Sequence, residues 1–200
     1  PNNPTGIFYD KTELENLILK FPRTWFLIDE AYADYLGKTF CSLITKNRNV
    51  MIVKTFSKAF GLAGLRLGYV VSNESNILQI NKIRNGKEVN TVAQKVVKLA
   101  LEHMDEFQIF LEEIRKNKKV FFEKLKTLNG LEVVDTSVNF ILIKCDQNKE
   151  LVNFLKSKNI FIRDRSKMYG LKNFSRISIG SNEEMKLVFK NIQSFLKKFI

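Results

Sequence analysis

Two hundred residues with an apolar share of 44% and 17 phenylalanines are enough for one large or two small folded domains, and they exclude a disordered chain. No apolar run approaches the roughly 18 residues of a membrane-spanning helix, so no membrane partner is expected; Cys41 and Cys145 fit no metal-ligand spacing and read as reduced thiols of a cytoplasmic protein. The net charge of +12 invites a nucleic-acid partner, but the lysines are dispersed over helix faces, so it reads as a solvated surface that favours anionic small molecules, with no nucleic acid bound.

The chain opens on Pro1-Asn2-Asn3-Pro4-Thr5-Gly6, a turn sequence with no strand feeding it and no signal peptide before it. It is read as a fragment of a longer polypeptide. Lys11–Lys20 predicts a helix. Trp25–Ile28, Val50–Val53 and Leu67–Val71 read as buried strands, with Trp25 in the core, and Ser75–Arg84 and Thr91–His103 read as helices. This alternation predicts an α/β fold whose sheet is largely parallel and covered on both faces. Asp105–Leu128 predicts a long amphipathic helix with an apolar stripe of Phe107, Phe110, Leu111, Ile114, Phe121, Phe122 and Leu125. After it, Leu131–Val134, Phe140–Ile143, Ile160–Ile162 and Arg176–Ile179 read as strands, Lys149–Lys158 as a helix, and Asn182–Phe199 as the last helix. Residues 1–104 are therefore expected to be the later part of a large domain. Residues 105–200 are expected to form a smaller α+β domain, entered through the long helix 105–128.

Three segments carry residues suited to chemistry. Trp25-Phe26-Leu27-Ile28 delivers Asp29 to the carboxyl end of a strand, where open α/β sheets bind ligands. Asp29-Glu30 has one reading as a magnesium-holding acid pair of an NTPase. That reading lacks its phosphate loop, because Gly37-Lys38-Thr39 has Tyr32 where the first glycine belongs and follows no strand. A plainer reading makes the two acids a helix cap. Asn3, in the opening turn, offers an amide that can donate to a ring oxygen. In Lys54–Tyr69, KTFSKAFGLAGLRLGY, Lys58 stands among small residues and hydroxyls. Thr55 and Ser57 offer donors to a phosphate, Gly61 and Gly64 leave room for it, and Arg66 can bind it bidentately. Lys58 can condense with an aldehyde, provided its pKa falls well below about 10.4. His103 is the only histidine, so no histidine pair or metal cluster can be built.

Taken together, Asn3-Pro4-Thr5-Gly6, Asp29 with Tyr32, and Thr55-Phe56-Ser57-Lys58 with Arg66 eight residues on resemble the fold-type I aminotransferases that depend on pyridoxal phosphate. Ser137-Val138-Asn139-Phe140, Ile162-Arg163-Asp164 and Arg176-Ile177-Ser178-Ile179-Gly180 are most similar to the histidinol-phosphate aminotransferases. The resemblance implies that fold, without the family's N-terminal half. It also implies pyridoxal 5'-phosphate as cofactor, glutamate as amino donor, a phosphorylated ketone as acceptor and a homodimer. Lys58 would hold the cofactor and shuttle the proton. Asp29 would pair with the ring nitrogen, Asn3 and Tyr32 with the ring oxygen, and Thr55, Ser57 and Arg66 with the phosphate. Arg176 would bind a substrate carboxylate or other anion, Arg163 a substrate phosphate, and Asn139 would stand beside them. Where the histidinol-phosphate enzymes show an Arg-x-Pro-Tyr/Phe-Asn-like sequence, this chain has Ile83–Asn90, IRNGKEVN. Imidazole-acetol phosphate is thus the first expectation for the acceptor. Dihydroxyacetone phosphate, decarboxylation of a phosphorylated amino acid, and a non-catalytic regulatory domain that binds the cofactor stay open.

Overall fold

A computed structural model of the chain describes residues 1–198. The chain forms two compact units: Pro1 with Phe8–Ile109, and Asn2–Ile7 with Phe110–Ile200.

The first unit begins with helix α1, Lys11–Lys20, whose N-cap Asp10 accepts from the amides of Thr12 and Glu13. Strands β1 (Phe26–Asp29), β2 (Val50–Thr55) and β3 (Gly68–Val71) form one sheet in that order. β1 and β2 are parallel, as the apolar runs predict, whereas β3 returns antiparallel to β2. One face of this sheet carries Phe26, Ile28, Val50, Ile52 and Val71 into a core with Ile18, Phe40, Leu43 and Ile44. The other face is not covered: Leu27 is 66% and Val70 39% exposed. The expectation of strands buried on both faces therefore fails here, because the chain supplies helices and turns to one face only. Trp25, expected in the core, lies before β1 and is exposed. Helices α2 (Glu74–Ile83) and α3 (Thr91–Glu102) follow, within two residues of their predicted bounds.

Helix α4, Met104–Lys126, contains the junction between the units. It buries Leu111, Ile114, Asn117, Phe121 and Leu125 at helical spacing. Phe110, expected in that stripe, is exposed.

In the second unit β4 (Glu132–Val134), β5 (Phe140–Lys144), β6 (Arg163–Asp164) and β7 (Phe174–Ser178) form an antiparallel sheet in the order β4-β5-β7-β6. Helix α5, Asn148–Ser157, packs on β6 and β7, and α6, Asn182–Leu196, packs on α5. Phe140, Ile141, Leu142 and Ile143 of β5 are all buried. The predicted strand Ile160–Ile162 is displaced to Arg163–Asp164 for a backbone reason. Asn159 turns left-handed (φ 57) after α5, and the Ile160 amide then donates to the Leu155 carbonyl while that of Asn159 donates to Lys156. That pairing is a Schellman cap, which uses Ile160 as the apolar stop of the helix. The predicted end of α6 at Phe199 lies outside the described residues.

The opening turn belongs to this second unit. The Ser137 amide donates to the Gly6 carbonyl at 3.1 Å. Gly6 itself sits at φ +67, pressed against the Thr136 side chain where a Cβ would collide.

Candidate active site

In the first unit the parallel register sets Asp29 beside Val53. Alternation then puts Asp29 and Thr55 on the same face at the carboxyl ends of their strands. Asp29 is exposed, and its Oδ1 accepts from the Ala31 amide at 2.8 Å, so the turn that follows orients the carboxylate. Tyr32 lies one residue further along this turn. The Nζ of Lys58 stands 5.5 Å from the centre of the Tyr32 ring, a cation–π distance.

The loop from β2 to β3 holds the rest. Thr55 Oγ1 accepts from the Ser57 amide at 3.0 Å and donates to the Leu67 carbonyl at 3.4 Å, which folds the loop back on its own root. Arg66 takes a left-handed backbone (φ 54), uncommon for a residue with a side chain. Its guanidinium donates to the Ala63 carbonyl at 3.2 Å. A Cβ on Gly61 or Gly64 would meet no atom within 4 Å. The loop thus offers hydroxyls, an amine and a guanidinium around open space. Lys58 is exposed on it and not enclosed between buried strands as the flanking apolar runs predict. The reason is that β3, which follows the loop, has Gly68, Tyr69 and Val70 exposed.

A second lysine, four residues earlier, is placed quite differently. The side chain of Lys54 is 13% exposed and lies 3.3 Å from Asp34 Oδ1 and 3.5 Å from Glu30 Oε2. Burial works against its charge, but Asp34, Tyr69 and Glu30, with the hydrogen bond to Asp34, outweigh burial and raise its pKa above the usual lysine value. Lys54 is therefore a fixed cation and a poor nucleophile. Glu30 is buried and accepts from the Phe40 amide at 2.5 Å and the Thr39 hydroxyl at 2.8 Å. The acid-pair reading required Glu30 to face a metal. Here Glu30 bonds to Thr39 and Phe40 and pairs with Lys54 instead, and no metal-ligand cluster occurs among the described residues. Sequence reasoning missed the Glu30–Lys54–Asp34 network. Its one signal was a lysine at the inward register of an otherwise apolar strand.

The second unit carries the remaining predicted residues. Asn3 Oδ1 accepts from Arg176 at 2.9 Å. The Arg176 guanidinium lies 5.1 Å from the Phe140 ring centre. Arg163 is exposed and pairs in register with Arg176 across β6 and β7. Asn139 receives the Ile179 amide on its backbone carbonyl at 2.8 Å, while its side-chain Oδ1 is buried without a partner. Satisfying the backbone thus does not account for the Asn139 amide group. Arg165, which sequence reasoning passed over, donates to the same Asn3 oxygen at 3.4 Å. Within Ile83–Asn90, Glu88 accepts from the Asn85 amide and Asn85 from the Lys87 amide, each at 3.0 Å, so this exposed segment closes on itself.

Comparison with known proteins gives these residues a context. The family model described as aminotransferase class I and II matches residues 1–192. A dihydroxyacetone phosphate transaminase of Campylobacter jejuni is 39% identical, over 99% of this chain and 54% of its own length. A histidinol-phosphate aminotransferase of Thermotoga neapolitana is 35% identical, over 98% of this chain and 56% of its own. Among solved structures, an L-threonine-O-3-phosphate decarboxylase from Porphyromonas gingivalis superposes with a TM-score of 0.87 at 29% identity, over 98% of this chain and 62% of that one. The chain spans about half the length of the curated relatives it matches.

Proposed function

The chain belongs to the class I and II aminotransferases, and from that premise we propose that it works with pyridoxal 5'-phosphate to move an amino group from glutamate to a small phosphorylated ketone. The observation that carries the reading is the β2–β3 loop, where Lys58 Nζ stands 5.5 Å from the Tyr32 ring and is flanked by Thr55, Ser57 and Arg66. The residues fit the cofactor. Asp29 offers a carboxylate for a protonated ring nitrogen, Thr55, Ser57 and Arg66 offer donors for a phosphate, and the space beside Gly61 and Gly64 admits it.

When bound, pyridoxal phosphate supplies an electron sink for the bonds at the substrate's amino carbon. Lys58 would hold it and move the proton to and from that carbon through Nζ. Tyr32 and Asn3 would donate to its ring oxygen, and the Asp29 carboxylate would keep the ring nitrogen charged. Arg176, Arg163 and Asn139 would receive the substrate's anionic group. Lys54 is the competing amine, and its pairing with Asp34 and Glu30 favours Lys58 for the reaction.

Dihydroxyacetone phosphate is the acceptor we favour. The relative named for it is 39% identical, and the closed turn Asn85–Glu88 offers no aromatic side chain to an imidazole. Imidazole-acetol phosphate, the first expectation from the motifs, is the alternative, supported by the histidinol-phosphate relatives. A decarboxylase reading has the 29% identical structure in its favour. The homodimer and the cytoplasmic location belong to the same proposal. Among the described residues no helix is long and apolar enough to cross a membrane.

The experiment is borohydride reduction of the whole protein after incubation with the cofactor, followed by peptide mass analysis. A phosphopyridoxyl group on Lys58, together with glutamate-dependent loss of the cofactor's yellow absorbance, is the expected result. The same group on Lys54, or no uptake at all, sinks the reading. Turnover of imidazole-acetol phosphate in preference to dihydroxyacetone phosphate reverses the choice of acceptor, and release of carbon dioxide from a phosphorylated amino acid selects the decarboxylase.

A further inference from the structure

Helix α4 carries a lysine within its apolar stripe. Lys118 follows Ile114 by four residues and precedes Phe121 by three, the spacing of one helix face, and its side chain is only 16% exposed. Its Nζ lies 2.8 Å from Asp135 Oδ1 and donates to the Thr136 carbonyl. Taking an ammonium out of water is costly, and an apolar side chain of similar length would pack here without that cost. General stability is therefore a poor reason for a lysine at this position. Placement is a better one: its partners are consecutive residues of one turn, so the ammonium fixes that turn against α4.

The same turn holds the opening segment of the chain. Asp135 Oδ1 also accepts from the Thr136 amide at 2.8 Å, and Thr136 is buried. The Thr136 side chain presses on Gly6, and the next amide, that of Ser137, donates to the Gly6 carbonyl at 3.1 Å. From Gly6 the bonds run back along the opening turn. The Gly6 amide donates to the Asn2 carbonyl at 2.7 Å, and the Asn2 amide to the Ile7 carbonyl at 3.0 Å. Asn3 stands inside this closed turn. Arg176, donating to Asn3 Oδ1 at 2.9 Å, sets the NH2 end of that amide away from the guanidinium. Direct contacts thus join Lys118 to the turn that carries Asn3, all of them within the second unit.

We propose that Lys118 is a positioning residue: from α4 it fixes the turn at Asp135–Ser137, which in turn fixes the opening segment and aims the Asn3 amide at the cofactor's ring oxygen. The role of Asn3 rests on the proposed function, whereas the clasp between Lys118 and the opening segment does not.

The test compares the whole protein as wild type and as Lys118→Met, which keeps the apolar stem and removes the ammonium. Lys126→Met is the exposed control on the same helix. Without cofactor, hydrogen exchange read by NMR should be at least about ten-fold faster at the Gly6 and Ser137 amides of Lys118→Met. The Ile160 amide, bonded to Leu155 elsewhere in the unit, should change less than about two-fold, and Lys126→Met should match wild type. With cofactor, losing a donor to the ring oxygen raises the pH midpoint of the yellow absorbance. Asn3→Ala should raise it by about one unit, and Lys118→Met by about half as much. Added to Asn3→Ala, Lys118→Met should move the midpoint no further, because both act through one amide. Lys118→Arg should restore most of both signals.

Unchanged exchange at Gly6 and Ser137 overturns the clasp. An equal acceleration at Ile160 does so too, since it would make Lys118 a general stabiliser of the unit. A midpoint shift that adds to that of Asn3→Ala overturns the aim at Asn3. If the protein takes up no cofactor, the proposed function fails, and the exchange results still decide the clasp. Should Lys118→Met not fold, Asp135→Asn should show the same pattern more weakly, and its absence overturns the proposal.

Discussion

The two sheets look alike in sequence and differ in what covers them. Phe140–Ile143 of β5 is buried at all four positions, whereas in the first unit Leu27 and Val70 on the outward face are largely open. Both segments read as continuous apolar runs, the usual mark of strands covered twice. A run of apolar residues records that both faces suit an apolar neighbour. It does not record whether this chain supplies one. The open sheet is also the one whose loop carries Lys58, so the first unit combines the proposed chemistry with an incomplete cover. The second unit buries the middle of its sheet and leaves the edge strand β6, with Arg163, exposed.

The largest test of that contrast is a matched pair of truncations. Phe121→Ala in the second unit removes a side chain that is 2% exposed and should cost about 3–5 kcal/mol in chemical denaturation. Val70→Ala on the open face should cost less than about 1 kcal/mol, because little surface is removed from contact. Comparable losses would mean that the outward face is covered in solution, and a concentration-dependent midpoint would identify a second copy as the cover.

Next come the two lysines of the first unit. Lys54→Ala leaves the buried Glu30 carboxylate without its cation and should cost about 3 kcal/mol. Lys58→Ala should leave stability within about 0.5 kcal/mol and abolish the reducible cofactor adduct. Equal stability losses would erase the distinction between a structural and a reactive lysine.

Single groups in each unit also give local stability a pH dependence of opposite sign. Burial pushes the Tyr35 hydroxyl up to about 12 from 10, with Tyr32 and Asp34 adding to it. A raised folded pKa means that the folded state holds the proton more tightly. That stability is complete below pH 10 and is lost as pH rises toward 12. Lys54, also raised, loses its share above pH 10.5. In the second unit burial would raise the Asp164 pKa, but Ser166, Asn148 and Lys167 outweigh it and hold the carboxyl below its usual range. Its contribution is complete above pH 3.8 and fades below. Hydrogen exchange against pH should therefore show the neighbourhood of Tyr35 and Lys54 loosening as pH rises above 10 and the neighbourhood of Asp164 loosening below pH 3.8. Tyr35→Phe should flatten the alkaline slope and leave the acid limb alone.

The smallest expected effect concerns a helix start. Ser181 and Glu184 form a reciprocal capping box at α6. Ser181→Ala should cost about 1 kcal/mol, read as faster exchange of the first-turn amides. A loss above about 2 kcal/mol would mean that α6 is held more by its cap than by the buried Met185, Val188 and Ile192.

The sequence by itself determined much of the local structure. Helix α1 has the predicted bounds, and α2, α3 and α5 lie within two residues of theirs, because caps and 3.6-residue periodicity are local. The motifs around Asn3, Asp29, Lys58 and Arg66 together resemble those of the family whose model matches residues 1–192. Tertiary structure decided the rest. Whether Trp25 and Phe110 are buried depends on which segments pack against them, and both are exposed. Ile160 leaves the sheet because its amide completes a helix cap. Lys54 and Lys58 are lysines four residues apart, and only folding separates them. The register of β2 against β1 and β3 turns Lys54 inward, where Glu30 and Asp34 hold its charge, while the loop beyond carries Lys58 into the open. Arg165 gained its place in the same way, from an oxygen 162 positions away in sequence. Contacts of that range form only when distant segments fold together, and no window of neighbouring residues contains them.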